Sequence, residues 1–164
     1  MDIIITGQPG VGKTTVCERL ILILKKNGLR CGGVLSPWVP EGFDIVDIQT
    51  GEARPFARLG KGEVTVGSFV FDRKGVDFAL GALENSRDCD VIFIDEIGSL
   101  ELRGGGLMPA VKLLAASDTP LIIISRSWLS NQVKELLSKR TFLTFEATEA
   151  NREDLPPEIS RVFP

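Results

Sequence analysis

Apolar residues recur along this chain in two spacings, and the alternation between them outlines the fold. Asp2-Ile3-Ile4-Ile5-Thr6 is a short β-branched run that stops at Gly7, the pattern of a parallel strand buried on both faces. Val16, Leu20, Ile23 and Leu24 then recur at helical spacing until Asn27-Gly28 ends the helix. Residues 30–36 predict a second strand, broken by Pro37-Trp38-Val39-Pro40-Glu41-Gly42. Residues 43–48 interleave apolar and acidic positions, as a half-exposed strand does. A turn at Thr50-Gly51 would return residues 52–59 as its antiparallel partner, and residues 64–71 read as one more strand. Residues 73–87 predict a helix with Val76, Phe78, Ala79, Leu80 and Leu83 as its apolar stripe.

The second half alternates more plainly. Strands are predicted at 90–95, 121–125 and 141–147, with helices at 107–116 and 130–139 between them. This order implies an α/β fold: a mostly parallel sheet with helices on both faces, right-handed crossovers and a β-rich insertion at about residues 36–71. The 164 residues read as a single domain. The tail at about 149–164, polar and containing Pro156-Pro157, is expected to be irregular.

Bulk properties narrow the function classes. The net charge of −3 argues against a whole-surface role in binding nucleic acid. No apolar run approaches the ~18 residues that span a bilayer, so no membrane partner is expected. Met1 leads straight into the first strand and nothing resembles a signal peptide, so none is expected. Cys17, Cys31 and Cys89 form no C-x-x-C pair and read as buried thiols of a reducing, cytoplasmic protein. The chain contains no histidine, so acid–base chemistry falls to carboxylates, lysine or water.

Gly7-Gln8-Pro9-Gly10-Val11-Gly12-Lys13-Thr14 matches the phosphate-binding P-loop, G-x-x-x-x-G-K-[ST], without a mismatch. The glycines let successive backbone N–H groups converge on one anion. Lys13 reaches the β- and γ-phosphates, the hydroxyl of Thr14 suits Mg²⁺, and Thr15 extends the nucleotide-binding set into the helix. That helix points the positive end of its dipole at the same phosphates. The strand before the loop and the helix after it supply the context the motif needs.

Val91-Ile92-Phe93-Ile94-Asp95-Glu96 is an apolar strand ending in two acids, the form of a Walker B element. Asp95 would hold Mg²⁺ beside Thr14, through a water. Glu96 is placed to orient and partly deprotonate a water in line with the γ-phosphate, and is the candidate catalytic residue together with Lys13.

With the P-loop, Phe43-Asp44-Ile45-Val46-Asp47 and Asp95-Glu96-Ile97-Gly98-x-Leu100-Glu101, the chain resembles the thermophilic nucleoside-triphosphatase family over roughly residues 2–146. These are small P-loop enzymes of the division with an added central strand and a catalytic glutamate. The resemblance implies a three-layer P-loop fold with the Walker B strand beside the P-loop strand. It also implies Mg²⁺-dependent hydrolysis of ATP, GTP and other nucleoside triphosphates to diphosphates, water activation by Glu96, and Glu101 as a second carboxylate near the site. The chain departs from the family pattern at Ser99, where a lysine is usual, and at Leu100, where methionine is usual. It also departs at Ser36–Gly42, which carries no basic residue, and at Gly104-Gly105-Gly106. If the missing cations contact phosphate in relatives, turnover here is slower or needs a partner.

The cation that stabilises the transition state is open among Arg103, Arg126, Arg140 and an arginine from a second subunit or protein partner. Arg126 follows Ser125 at the carboxyl end of a strand, where ligand sites of open α/β sheets lie. Ser125 could sense the γ-phosphate. Trp38 and Trp128 could stack on a base, form an interface or pack over the sheet. Lys25, Lys26 and Arg152 read as solvated charges. Two other classes fit the same motifs: a small-molecule or nucleoside kinase with its acceptor in residues 36–71, and a nucleotide-dependent switch or assembly ATPase.

Overall fold

The computed structural model describes residues 1–60, 62 and 65–164, with Thr65 described in its backbone only. Ten strands form one sheet. Five of them are parallel neighbours: β1 (Asp2–Gly7), β2 (Cys31–Leu35), β8 (Val91–Asp95), β9 (Leu121–Arg126) and β10 (Phe142–Glu146). The other five, β3 (Trp38–Val39), β4 (Gly42–Asp47), β5 (Ala53–Leu59), β6 (Thr65–Val66) and β7 (Phe69–Phe71), continue the sheet antiparallel from β2 outward. The order is β10-β1-β9-β8-β2-β4-β5-β7-β6, with β3 paired to β4. The insertion read at residues 36–71 is therefore an extension of the main sheet.

The parallel strands are apolar on both faces because both faces are covered. Ile4, Ile92, Ile94 and Ile123 point to one side, against α2 (Arg73–Asn85), α4 (Met108–Ala115) and α5 (Ser130–Leu136). Ile3, Ile5, Phe93, Ile122 and Ile124 point to the other, against α1 (Lys13–Lys26) and α6 (Leu155–Ser160). Each such side chain contributes about 1.5–3 kcal/mol through burial. The α1 stripe of Val16, Leu20 and Leu24 is fully buried, and Gly28, at φ 89°, ends the chain's helical course as expected.

Four expectations are corrected. The strand ending in Asp95 is not the neighbour of the P-loop strand: β9 occupies one edge of β1 (Ile3 opposite Ile122) and β10 the other (Asp2 opposite Phe142), so β8 lies one strand further out. The break at Pro37–Pro40 contains β3, because Trp38 and Val39 find partners in Phe43 and Gly42 across a tight turn in which Glu41 takes φ 72°. The single strand expected at 64–71 is a short hairpin of β6 and β7 around Gly67-Ser68, and Val64 lies outside the described residues. The tail is not wholly irregular. Its two prolines occupy the first turn of α6, where no N–H is needed, and Leu155 and Ile159 are buried on α1. An ion pair between Arg19 and Glu153 fastens the same contact. A further short helix, α3 (Ser99–Leu102), follows the acidic pair. Among the described residues no helix is long and apolar enough to cross a membrane.

Candidate active site

The P-loop leaves β1 and curls over the start of α1. Gly10 and Gly12 take φ 77° and 103°, the left-handed region that a side chain rarely enters, and this turns the intervening amides toward one point. The Lys13 side chain folds back into the curl, where Nζ donates to the carbonyls of Gly7 and Gln8 at 3.0 Å each. Its ammonium is buried, which lowers its pKa, and the nearby carboxylates of Glu96 and Asp95 oppose that shift. Pro9, Gly10, Gly12, Lys13, Thr14 and Thr15 line a cavity of about 700 Å³. Gly7 closes β1, and Val11 packs partly into the core beneath the loop.

Asp95 joins three elements. Its Oδ2 accepts from the Thr14 hydroxyl at 2.8 Å and from the Ser36 amide at 3.0 Å, while its carbonyl accepts from Ser36 Oγ at 2.6 Å. Burial pushes its pKa up to about 7. The Ser36 amide opposes that rise, the Glu96 charge adds to it, and the Thr14 hydroxyl and Lys13 oppose it. A cation at this carboxylate would favour its charged form. The donor set fits Mg²⁺. Asp95 Oδ2 accepts the Thr14 hydroxyl's hydrogen bond at 2.8 Å, which leaves the Thr14 oxygen's lone pairs for a cation and lets Asp95 reach the ion through a water. Mg²⁺ asks for one or two carboxylates rather than a protein cage, and among the described residues no cluster of three acidic, histidine or cysteine ligands exists.

Glu96 follows at the mouth of the cavity, its side chain about one-third exposed at 31%. Desolvation raises its pKa, opposed by Arg126 and Lys13. Arg126 Nε lies 3.3 Å from Glu96 Oε1, and its guanidinium stands 5.6 Å from the centre of the Trp128 ring. Arg126 and Trp128 therefore frame the carboxylate that faces the cavity.

The remaining candidates separate cleanly. Arg140 sits at the opposite end of the sheet, paired to Asp2 at 2.5 Å and bonded to the carbonyls of Ser117 and Thr119, so it serves the fold. Arg103 is exposed and donates to the Ser99 carbonyl; it does not line the cavity. Ser125 is buried, donates to the Arg126 carbonyl at 3.3 Å and likewise does not line the cavity. Glu101 is not solvated: it is buried and lines the cavity, a second carboxylate near the site. Its oxygens accept from the amides of Gly98 at 3.0 Å and Leu107 at 3.3 Å, which ties the start of α3 to the start of α4. The glycines at 104–106 make this tie fit: a Cβ on Gly106, at φ 55°, would stand 2.2 Å from Glu101 Oε1.

Arg152, read as a solvated charge, is a site residue that the sequence reading missed. Its guanidinium donates to the Val11 carbonyl at 3.3 Å, lies against Gly12 and lines the cavity. Asn151 holds the loop that presents it, bonding Thr148 in both directions and the Glu146 carbonyl at 2.8 Å. The signal available in the sequence was Thr148-x-x-Asn151, side-chain turn formers directly after a strand.

Fold and site together define a P-loop α/β protein in which one strand separates the phosphate loop from the acidic pair. The sequence model of the family described as NTPase matches residues 2–160, and the chain belongs to that family. Nucleoside-triphosphatase THEP1 of Methanocaldococcus jannaschii is 35% identical over 170 residues, covering 97% of this chain and 95% of its own. Two solved structures share the fold. The solution structure of a human cancer-related nucleoside triphosphatase has a TM-score of 0.79 and 30% identity, over 98% of this chain and 96% of that one. The crystal structure of THEP1 from Aquifex aeolicus has a TM-score of 0.77 and 26% identity, over 97% and 96%. The resemblance carried by the P-loop and the Asp95-Glu96-Ile97-Gly98 motif is thus a family membership.

Proposed function

We propose that this protein hydrolyses nucleoside triphosphates, ATP and GTP among them, to diphosphate and phosphate in a Mg²⁺-dependent reaction. The observation that carries this reading is one juxtaposition: Thr14 and Asp95 hydrogen-bonded at 2.8 Å, with Glu96 beside them on the wall of the P-loop cavity. The amides of the P-loop and the buried Lys13 ammonium hold the β- and γ-phosphates. Thr14 and Asp95 are the residues that would hold Mg²⁺, which would supply positive charge against that of the phosphates. Glu96 accepts a proton from a water lying in line with the γ-phosphate, and Arg126 keeps its carboxylate oriented. Arg126 is also the arginine that stands beside Glu96 on the cavity wall, and neither Arg103 nor Arg140 lines that cavity. Catalysis by positioning and electrostatics is what phosphoryl transfer needs.

The chain has no guanine-reading N-K-x-D, and Arg152 offers a flat cation that any base can stack on, which supports a broad range of triphosphates. The test is phosphate release from ATP, GTP, CTP and UTP with Mg²⁺, comparing the wild type with Glu96→Gln. Release from several triphosphates that vanishes in the variant is expected. Equal release by both proteins would remove Glu96 from the chemistry.

A further inference from the structure

Besides the P-loop and the acidic pair, the cavity is lined by residues of β3, β4, β5, β6 and β7. Along the sheet edge the order is β10, β1, β9, β8, β2, β4. Strands lie ~4.8 Å apart, so the acidic pair on β8 stands about 10 Å from the P-loop strand and β4 about 19 Å from it. On the reading above, the α- and β-phosphates lie over β1 and the γ-phosphate reaches toward β8. The nucleoside then leaves in the other direction, toward the loop after β10 that carries Arg152. Everything on the β2 side of Glu96 is on the side from which a nucleophile approaches.

That side is aromatic. Trp38, Phe43 and Phe69 form one cluster, with ring centres 4.0 Å apart for Trp38–Phe43, 5.1 Å for Phe43–Phe69 and 6.1 Å for Trp38–Phe69. Phe56 and Phe71 meet edge to face beside it at 5.3 Å. All five line the same cavity as Asp95 and Glu96. Packing within the cluster does not consume it: Trp38 remains 58% exposed. A face of this kind takes flat, uncharged rings. A chamber built only for water would not need one.

We propose that this chamber is an acceptor site for an uncharged planar aromatic alcohol, which takes the γ-phosphoryl group in place of water. The inference rests on the nucleotide orientation proposed above. The ring stacks in the Trp38–Phe43–Phe69 cluster and the hydroxyl reaches Glu96. The hydroxyl oxygen bonds to the γ-phosphorus, the bond from that phosphorus to the β–γ bridging oxygen breaks, and the diphosphate leaves with its electron pair. The hydroxyl proton passes to the Glu96 carboxylate and on to solvent. Hydrolysis is the same displacement with water in the chamber.

The experiment incubates the protein with Mg²⁺ and γ-labelled GTP and three probes: 2-naphthalenemethanol, adenosine and, as a non-planar control, cyclohexanemethanol. Labelled organic phosphate and free phosphate are measured in the same samples. The expected result is transfer to both planar probes at least tenfold above the control. It should fall at least tenfold in Trp38→Ala and return in Trp38→Phe, while phosphate release without acceptor in Trp38→Ala stays within twofold of wild type. Wild-type protein that releases phosphate and labels none of the probes overturns the acceptor site and leaves hydrolysis standing. Transfer that is equal in Trp38→Ala also overturns it. Neither phosphate release nor transfer would overturn the hydrolysis reading, and this one with it.

Discussion

The parallel and antiparallel halves of the sheet carry different burdens. In the parallel half β1, β2 and β8 are buried at every position, and their carboxyl ends deliver the P-loop, Ser36 and the Asp95-Glu96 pair to one place. In the antiparallel half the strands are short or partly exposed: β5 is exposed over its first three residues, and β3 and β6 are two residues long. The first half fixes the chemistry because its geometry has no slack. The second half presents side chains, chiefly aromatic, to the same cavity, and its surface can vary without moving a phosphate ligand.

The largest effect expected from testing this contrast is in Glu96→Gln, which should keep nucleotide binding and lower turnover by about 10²–10⁴. Binding measured by calorimetry and phosphate release measured side by side would check it. Next comes stability. Arg140→Ala leaves Asp2 without its buried partner at the amino end of β1 and should cost about 3–5 kcal/mol in urea unfolding. Trp38→Ala, on the exposed β3, should cost under about 1 kcal/mol. Comparable losses in the two variants would erase the distinction between the halves. Arg152→Ala should raise KM for every nucleoside triphosphate by about tenfold, the ~1.4 kcal/mol of a lost stacking contact, with little change in kcat. Inorganic tripolyphosphate is the control: an equal rise with it would move Arg152 from the base to the phosphates.

The smallest effect concerns Cys31, at the start of β2. Burial pushes its thiol up to about 11 from an ordinary value near 9. The folded form therefore keeps its proton where the unfolded form has lost it, so stability should fall as pH rises from about 9 toward 11. At pH 8 both forms are protonated and the group should contribute nothing. Urea midpoints across this range should fall less steeply in Cys31→Ala than in wild type.

What could be read from the sequence follows the same division. The Ile3–Ile5 and Val91–Ile94 runs are legible because a strand buried on both faces must be apolar throughout, and the P-loop because its backbone demands fixed glycines. The position of β9 between β1 and β8 was not legible, since lateral order depends on how helices cross over the sheet rather than on either strand. Pairing between short segments hid β3 and divided 64–71, because two residues carry no periodicity. The function of Glu101 was hidden for a different reason. A carboxylate beside an acidic motif suggests chemistry, and only the amides of Gly98 and Leu107 reveal that it holds a loop. Arg152 was hidden because a charge in a tail read as irregular looks solvated, whereas the tail's prolines begin a helix that packs on α1 and Arg152 bonds the P-loop.

The lateral order of the strands has an evolutionary consequence. The loop after β10 and the strands beyond β2 meet the cavity from opposite ends, and the P-loop and the acidic pair lie between them on β1 and β8. Selection can rewrite either end by substitution or insertion at an edge while the centre stays fixed. Duplicated copies of such a gene can therefore diverge in what they recognise long before they diverge in what they do.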